Sequence, residues 1–132
     1  MATSTLSTDK ESACQYKGCG RKVARDGKCI FHLQDKDSGE AKEFNSLLSA
    51  EIKRMQQDAT LPAIDFRGFR FPRPAYKFGK TRFEKEIDFT ETVFEGNAYF
   101  FASTFPKGAL FDKAEFRGNA VFWGDEFSRN VI

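Results

Sequence analysis

The chain has one histidine, one tryptophan and three cysteines, and few leucine, isoleucine and valine residues for its 132 positions. It has no stretch near the roughly 18 apolar residues of a spanning helix. Its opening, MATSTLSTDKES, offers neither a basic n-region nor an apolar h-region. A soluble, cytoplasmic chain without a membrane segment is therefore expected. Lysine and arginine number 21 against 19 aspartate and glutamate, so no chain-wide field draws nucleic acid or anionic lipid, and partners must be sought locally. Three cysteines cannot all pair with one another. All three lie within sixteen residues beside the only histidine, which favours metal ligation over disulfide bonding.

What the chain has in excess is phenylalanine, 16 of its 20 aromatic residues. An interior built from one side-chain shape suggests repetition. Phe recurs at 78, 83, 89, 94, 100, 105, 111, 116, 122 and 127, with spacings alternating 5 and 6. These are five copies of an 11-residue unit, a period that whole 3.6-residue helical turns do not explain. Two positions before these Phe stand Tyr76, Thr81, Ile87, Thr92, Ala98, Ser103, Ala109, Ala114, Ala120 and Asp125. Most are small, as expected of residues that share a narrow interior with the rings.

GNAYFF (96–101) and GNAVFW (118–123) lie 22 residues apart, so one coil holds two units. At that offset Glu91 meets Lys113 and Glu95 meets Arg117, opposite charges suited to stacked strands about 4.8 Å apart. A coil of four sides, of 5 and 6 residues alternately, accounts for this arithmetic.

AYFFASTFPKG and ALFDKAEFRGN resemble the Phe-rich, 11-residue variant of the pentapeptide repeat family. That resemblance implies a mainly β fold, a right-handed four-sided β-helix, over residues 78–132. IDFRGFRFP (64–72) resembles the lead-in of such proteins, and residues 61–77 are assigned to it. Tyr76, Ile87 and Asp125 depart from the small residue usual in the family, and Asp125 is the costliest departure because a buried carboxylate needs a partner.

The N-terminal half divides into a tail (1–13), a compact cysteine and histidine segment (14–35) and a helical pattern (37–60). Phe44, Leu47, Leu48, Ile52 and Met55 fall on one predicted face. Asp37 or Ser38 can cap the helix, and Pro62 forbids its continuation. The apolar face is expected to cover the open first coil. Cys14, Cys19, Cys29 and His32 follow C-x4-C-x9-C-x2-H. Four such donors satisfy tetrahedral Zn²⁺ and leave no position for substrate, which is the signature of a structural site. So short a segment needs metal to fold, and it resembles the small zinc-binding module that some pentapeptide repeat proteins carry.

Candidate interaction residues lie in two groups. Arg67, Arg70 and Arg73 open a run rich in cations and aromatics, RGFRFPRPAYKFGKTRFEK, which could meet single-stranded nucleic acid or an anionic protein. Phe78 and Phe83 already hold places in the coil register, which leaves the charges on outward faces. Tyr99, Phe101 and Trp123 stack at the 22-residue offset, either as a contact patch or as a ladder that only stabilises the sheet.

No catalytic constellation and no phosphate-cradling glycine loop is present, so a non-enzymatic scaffold or protein-binding module is expected. Nucleic-acid association, regulation of a topoisomerase by DNA mimicry and a role as the cytoplasmic part of a membrane-attached sensor are the alternatives. DNA mimicry needs a negative rod, yet residues 76–132 hold eight Lys and Arg against nine Asp and Glu. After Phe127 the next ring falls due at 133 and its small partner at 131, where Val131 stands. Further coils in the native product, or self-association through an open C-terminal coil, are therefore expected.

Overall fold

The computed structural model describes residues 13–73, 75–79, 82–101, 103–124 and 126–127. The expected tail lies outside these residues apart from Ala13, as do Thr81, Asp125 and Val131. For Tyr76, Phe78, Phe101, Trp123 and Phe127 only the strand backbone is described.

The one helix among the described residues, α1, runs Ser38–Gln57. Its start is fixed by a capping box. Glu40 N donates to Asp37 Oδ1 (2.8 Å) and Asp37 N donates to Glu40 Oε1 (3.0 Å), so two otherwise orphaned N–H groups satisfy each other's residues. Arg25 binds the Glu40 carboxylate and holds its pKa down, at about 2. Phe44, Leu48 and Met55 are buried, but Leu47 is 43% exposed, against the expected face. At about 100° per residue, Leu47 lies some 60° to the other side of Phe44 from Leu48 and Ile52. The stripe is centred between Phe44 and Ile52, and Leu47 falls off its edge. No helix among the described residues is long and apolar enough to cross a membrane.

The rest of the described chain is short strands: β1 (Ala63–Asp65), β2 (Arg70–Phe71), β3 (Ala75–Gly79), β4 (Glu86–Asp88), β5 (Val93–Phe94), β6 (Asn97–Phe101), β7 (Thr104–Phe105), β8 (Ala109–Leu110), β9 (Glu115–Phe116), β10 (Ala120–Trp123) and β11 (Glu126–Phe127). Among the described residues they form four parallel sheets, β1-β4-β8, β2-β5-β9, β3-β6-β10 and β7-β11. The fold is mostly β.

The 22-residue period is the register of these sheets. Phe94 pairs with Phe116, Ala98 with Ala120 and Phe105 with Phe127. Stacking begins before Phe78, because Ile64 pairs with Ile87 and Phe71 with Phe94, an offset of 23. Ala75 pairs with Asn97, back at 22. The extra residue therefore lies between Phe71 and Ala75, where three residues do the work of two between Phe94 and Asn97.

Rings stack along each side, as identical side chains one layer apart must. Phe66, Phe89 and Phe111 follow one another at 5.2 and 4.8 Å between centroids, and Phe71, Phe94 and Phe116 at 4.6 and 4.9 Å. Phe100 stacks on Phe122 at 4.7 Å and Phe83 on Phe105 at 5.2 Å. Of the small residues, Thr92, Ala98, Ser103 and Ala109 are buried as expected, whereas Ala114 is half-buried and Ala120 exposed. Ile87 is accommodated between Ile64 and Ala109 in one column.

The Phe register of 78–127 predicts Phe100, Phe105, Phe111 and Phe116 as the buried centre of the stack, but that centre is shifted. Phe89, Phe94, Phe100 and Phe105 are fully buried, whereas Phe111 and Phe116 are half-buried. The additional early layer moves the centre of the stack toward the N-terminus.

Helix α1 and the cysteine segment lie over that early layer. Phe44 packs edge-on against Phe71 (5.2 Å) and Phe31 stacks on Phe69 (4.9 Å). Phe69 occupies the small-residue position two before Phe71. With the cap on one side in place of another layer, there is room for a ring, and Phe69 fills it. Lys85 closes the helix end by donating to the Met55 and Asp58 carbonyls (2.7 and 2.6 Å), a cation where the helix dipole is negative.

Candidate metal centre

Two local turns deliver the four donors. Cys14 N donates to Arg21 O and Cys19 N to Tyr16 O, which folds residues 14–21 into a knuckle, with Gly18 and Gly20 at φ 81° and 72° on either side of Cys19. On the other arm, His32 N and Leu33 N both donate to Cys29 O. This single helical turn sets Cys29 and His32 on one face, as a three-residue spacing requires.

The donor atoms of Cys14, Cys19, Cys29 and His32 all lie within 4.8 Å of one another. Cys19 Sγ and Cys29 Sγ are 3.8 Å apart, and His32 Nδ1 lies 3.4 Å from Cys14 Sγ and 3.2 Å from Cys29 Sγ. Zinc–thiolate bonds of about 2.3 Å in a tetrahedron call for sulfurs about 3.8 Å apart, so the set fits the ion.

The histidine tautomer is decided by its other nitrogen. Nε2 lies 2.8 Å from the Arg67 carbonyl, which can only accept, so Nε2 carries the proton and Nδ1 faces the sulfurs with its lone pair. That backbone partner is what orients a metal-binding imidazole. Burial pushes the His32 pKa down to about 4, which keeps the ring neutral. Burial also pushes the Cys29 thiol up to about 12, helped by the charges of Cys19 and Cys14. For Cys29, metal uptake and thiolate formation are thus one coupled event.

Three residues outside the predicted donor set complete the surroundings. Tyr16 stacks on His32 at 4.2 Å and 9°, and its hydroxyl donates to Glu91 Oε1 at 2.6 Å. A Cβ added to Gly68, at φ 70°, would meet Tyr16 Cε1 at 2.2 Å. Arg21 donates to Cys19 Sγ from both its backbone N (3.4 Å) and its guanidinium (3.3 Å), and forks onto Glu51 of α1. Only Gly68, in a chain where glycine marks corners, left a trace that could have been followed.

The stacked segment has a known counterpart. Residues 78–124 match the family model for pentapeptide repeats, with 9 copies. No curated protein and no solved structure matched the chain. The matched segment carries the 22-residue register described above, and parallel pairing continues back to Ala63 at an offset of 23.

The six candidate interaction residues are spread over the fold. Arg67 follows β1 and pairs with Asp65 (2.9 Å), and Arg70 in β2 is largely covered and pairs with Glu95 (2.7 Å). Arg70 and Arg73 line a cleft of about 280 Å³ with Lys36 and with Asp35, Asp37 and Glu95, so its charges balance. Lys36 spends its ammonium on the Leu33 and Arg70 carbonyls, and burial pushes its pKa down to about 8.

Tyr99 is half-buried in β6, with its hydroxyl accepting from Asn97 Nδ2 at 3.0 Å. Phe101 and Trp123 are register partners at the backbone. Glu95 also binds Arg117 at 2.9 Å, as the 22-residue offset predicts, whereas Glu91 is engaged by Tyr16.

Proposed function

We propose that this chain is a zinc-capped, right-handed, four-sided β-helix that serves as a scaffold for binding another protein and has no catalytic function. The observation that carries the reading is the position of the donor set: His32 offers one nitrogen to the sulfurs while the other is tied to Arg67 of the first layer. Cys14, Cys19, Cys29 and His32 would hold the ion, which supplies crosslinking and folding energy. All four positions are taken by protein donors, which supports structure over chemistry.

Four parallel sheets that share a 22-residue register after the first layer support the four-sided coil. Crossovers between parallel strands of one sheet are right-handed in nearly all proteins. A nucleic-acid role is weaker, because Arg67, Arg70, Arg82 and Lys85 all have partners within the chain. A cytoplasmic, reducing environment would keep the thiols available to the metal.

Metal analysis of purified protein should find one zinc per chain. Chelation should open residues 13–60 to protease while the repeats persist, and protein without bound zinc would overturn the cap. A photo-crosslinker at Tyr99 should capture protein; capture of nucleic acid alone would overturn the partner class.

A further inference from the structure

The three thiols of the metal centre are not equivalent. Cys14 and Cys29 are 7% and 1% exposed, whereas Cys19 is half-buried and lines a separate cleft of about 150 Å³ together with His32, Arg21, Arg54 and Arg67. Of the three thiols, that of Cys19 alone lines this cleft. Arg21 directs two donors at the same sulfur, its backbone N–H and its guanidinium, at 3.4 and 3.3 Å. Cys29 Sγ stands 3.8 Å away, behind it. An accessible sulfur beside a guanidinium, with a second cysteine sulfur within reach, is the arrangement of a reactive and a resolving cysteine.

We propose that Cys19 is an oxidant-reactive modification site for hydroperoxides, with Cys29 as its resolving partner, and that the cap is thereby a reversible redox-sensitive clasp. The inference rests on the zinc-cap reading. The Cys19 thiolate attacks the terminal oxygen of ROOH. The O–O bond breaks, the alkoxide leaves and takes a proton from water, and Cys19 becomes a sulfenic acid. The Cys29 thiolate then attacks the Cys19 sulfur, the S–S bond forms and hydroxide leaves.

Two thiolates have given two electrons to one hydroperoxide, and two of the four donors are gone. Cys14 and His32 alone do not close a zinc shell, so metal is lost and the cap is freed from its crosslink. A dithiol reductant and fresh zinc reverse the change.

The experiment uses the full chain as purified, with its metal content measured first. Hydrogen peroxide is added, zinc release is followed with a chromogenic chelator, and disulfides are mapped by mass spectrometry without reduction. A parallel sample is alkylated with iodoacetamide for short times. The expected result is one zinc released for two thiols lost, a Cys19–Cys29 linked peptide, and alkylation of Cys19 about tenfold faster than of Cys14 or Cys29.

Protein without zinc at the outset would remove the cap reading and this inference with it. Zinc-loaded protein that keeps its metal under peroxide, links Cys14 to Cys29 or alkylates all three thiols alike would overturn the inference and leave the cap standing.

Discussion

Phe94→Ala is the sharpest test of the stacked interior. The Phe94 ring is 1% exposed and lies between Phe71 at 4.6 Å and Phe116 at 4.9 Å, tilted from them by 18° and 3°. A buried Phe removes about 150–250 Å² from water, which at about 25 cal/mol per Å² corresponds to some 4–6 kcal/mol. Alanine keeps a small part of that area and leaves a cavity between two layers that cannot collapse independently. A loss of about 4 kcal/mol is expected.

Phe122 is the control. It also stacks on a neighbour, Phe100 at 4.7 Å and 4°, yet it is 45% exposed, so Phe122→Ala should cost about half as much. Urea titration with matched slopes measures both, since a shifted midpoint at constant slope reports stability alone. Equal losses at 94 and 122 would refute the layer order. A trivial loss at 94 would refute the inward register itself.

Other outcomes follow from the same geometry. Lys113 sits at φ 58°, a conformation that glycine adopts without a Cβ penalty, so Lys113→Gly should raise stability by about 0.5–1 kcal/mol in the same titration; a lower midpoint would count against it. Gly68→Ala should loosen the cap by about 2 kcal/mol or more, seen as weaker zinc binding, because a Cβ there meets Tyr16 at 2.2 Å; unchanged affinity would refute the contact. His32 is neutral when folded, with a pKa near 4 against 6.5 unfolded, so the unfolded chain binds the extra proton. Stability of the zinc-loaded protein should thus be full above about pH 6.5 and fall as pH drops toward 4. A melting temperature that stays flat across that window would refute the buried, neutral ring.

What the sequence disclosed, and what it hid, divides along physical lines. The Phe columns were legible because every layer repeats one demand, a ring at each side and a small residue two positions earlier. Phe66 and Phe71 keep the ring spacing of 5, but Ile64 and Phe69 stand where the small residues belong. They were read as a lead-in because one added residue before Ala75 breaks the count to Phe78, although strand pairing tolerates the insertion at a corner. The four donors were legible from residue type and proximity. Tyr16, Arg21 and Glu51 were not, since their roles arise from contacts between segments, and no local spacing encodes them. Leu47 failed for a subtler reason: a 3 and 4 pattern admits residues on either flank of a stripe, and only the partner surface chooses the flank.

The placement of the metal follows from a problem every stack has at its end. The first layer exposes Phe66, Phe69 and Phe71 on a side where no earlier layer exists, and a helix about 10 Å wide covers only part of such a surface. In this chain α1 covers Phe71 through Phe44, and the cysteine segment covers Phe69 through Phe31 and His32. Neither cover is large enough to be stable alone. The three bodies are therefore tied pairwise: the cysteine segment to α1 by Arg21 and Glu51, α1 to the stack by Lys85, and the cysteine segment to the stack by His32 with Arg67 and Tyr16 with Glu91. In such a triangle each tie restricts the other two. Metal affinity and cap docking are then linked free energies, so whatever loosens the helix from the stack must weaken the metal, and loss of metal must loosen the helix to the same extent.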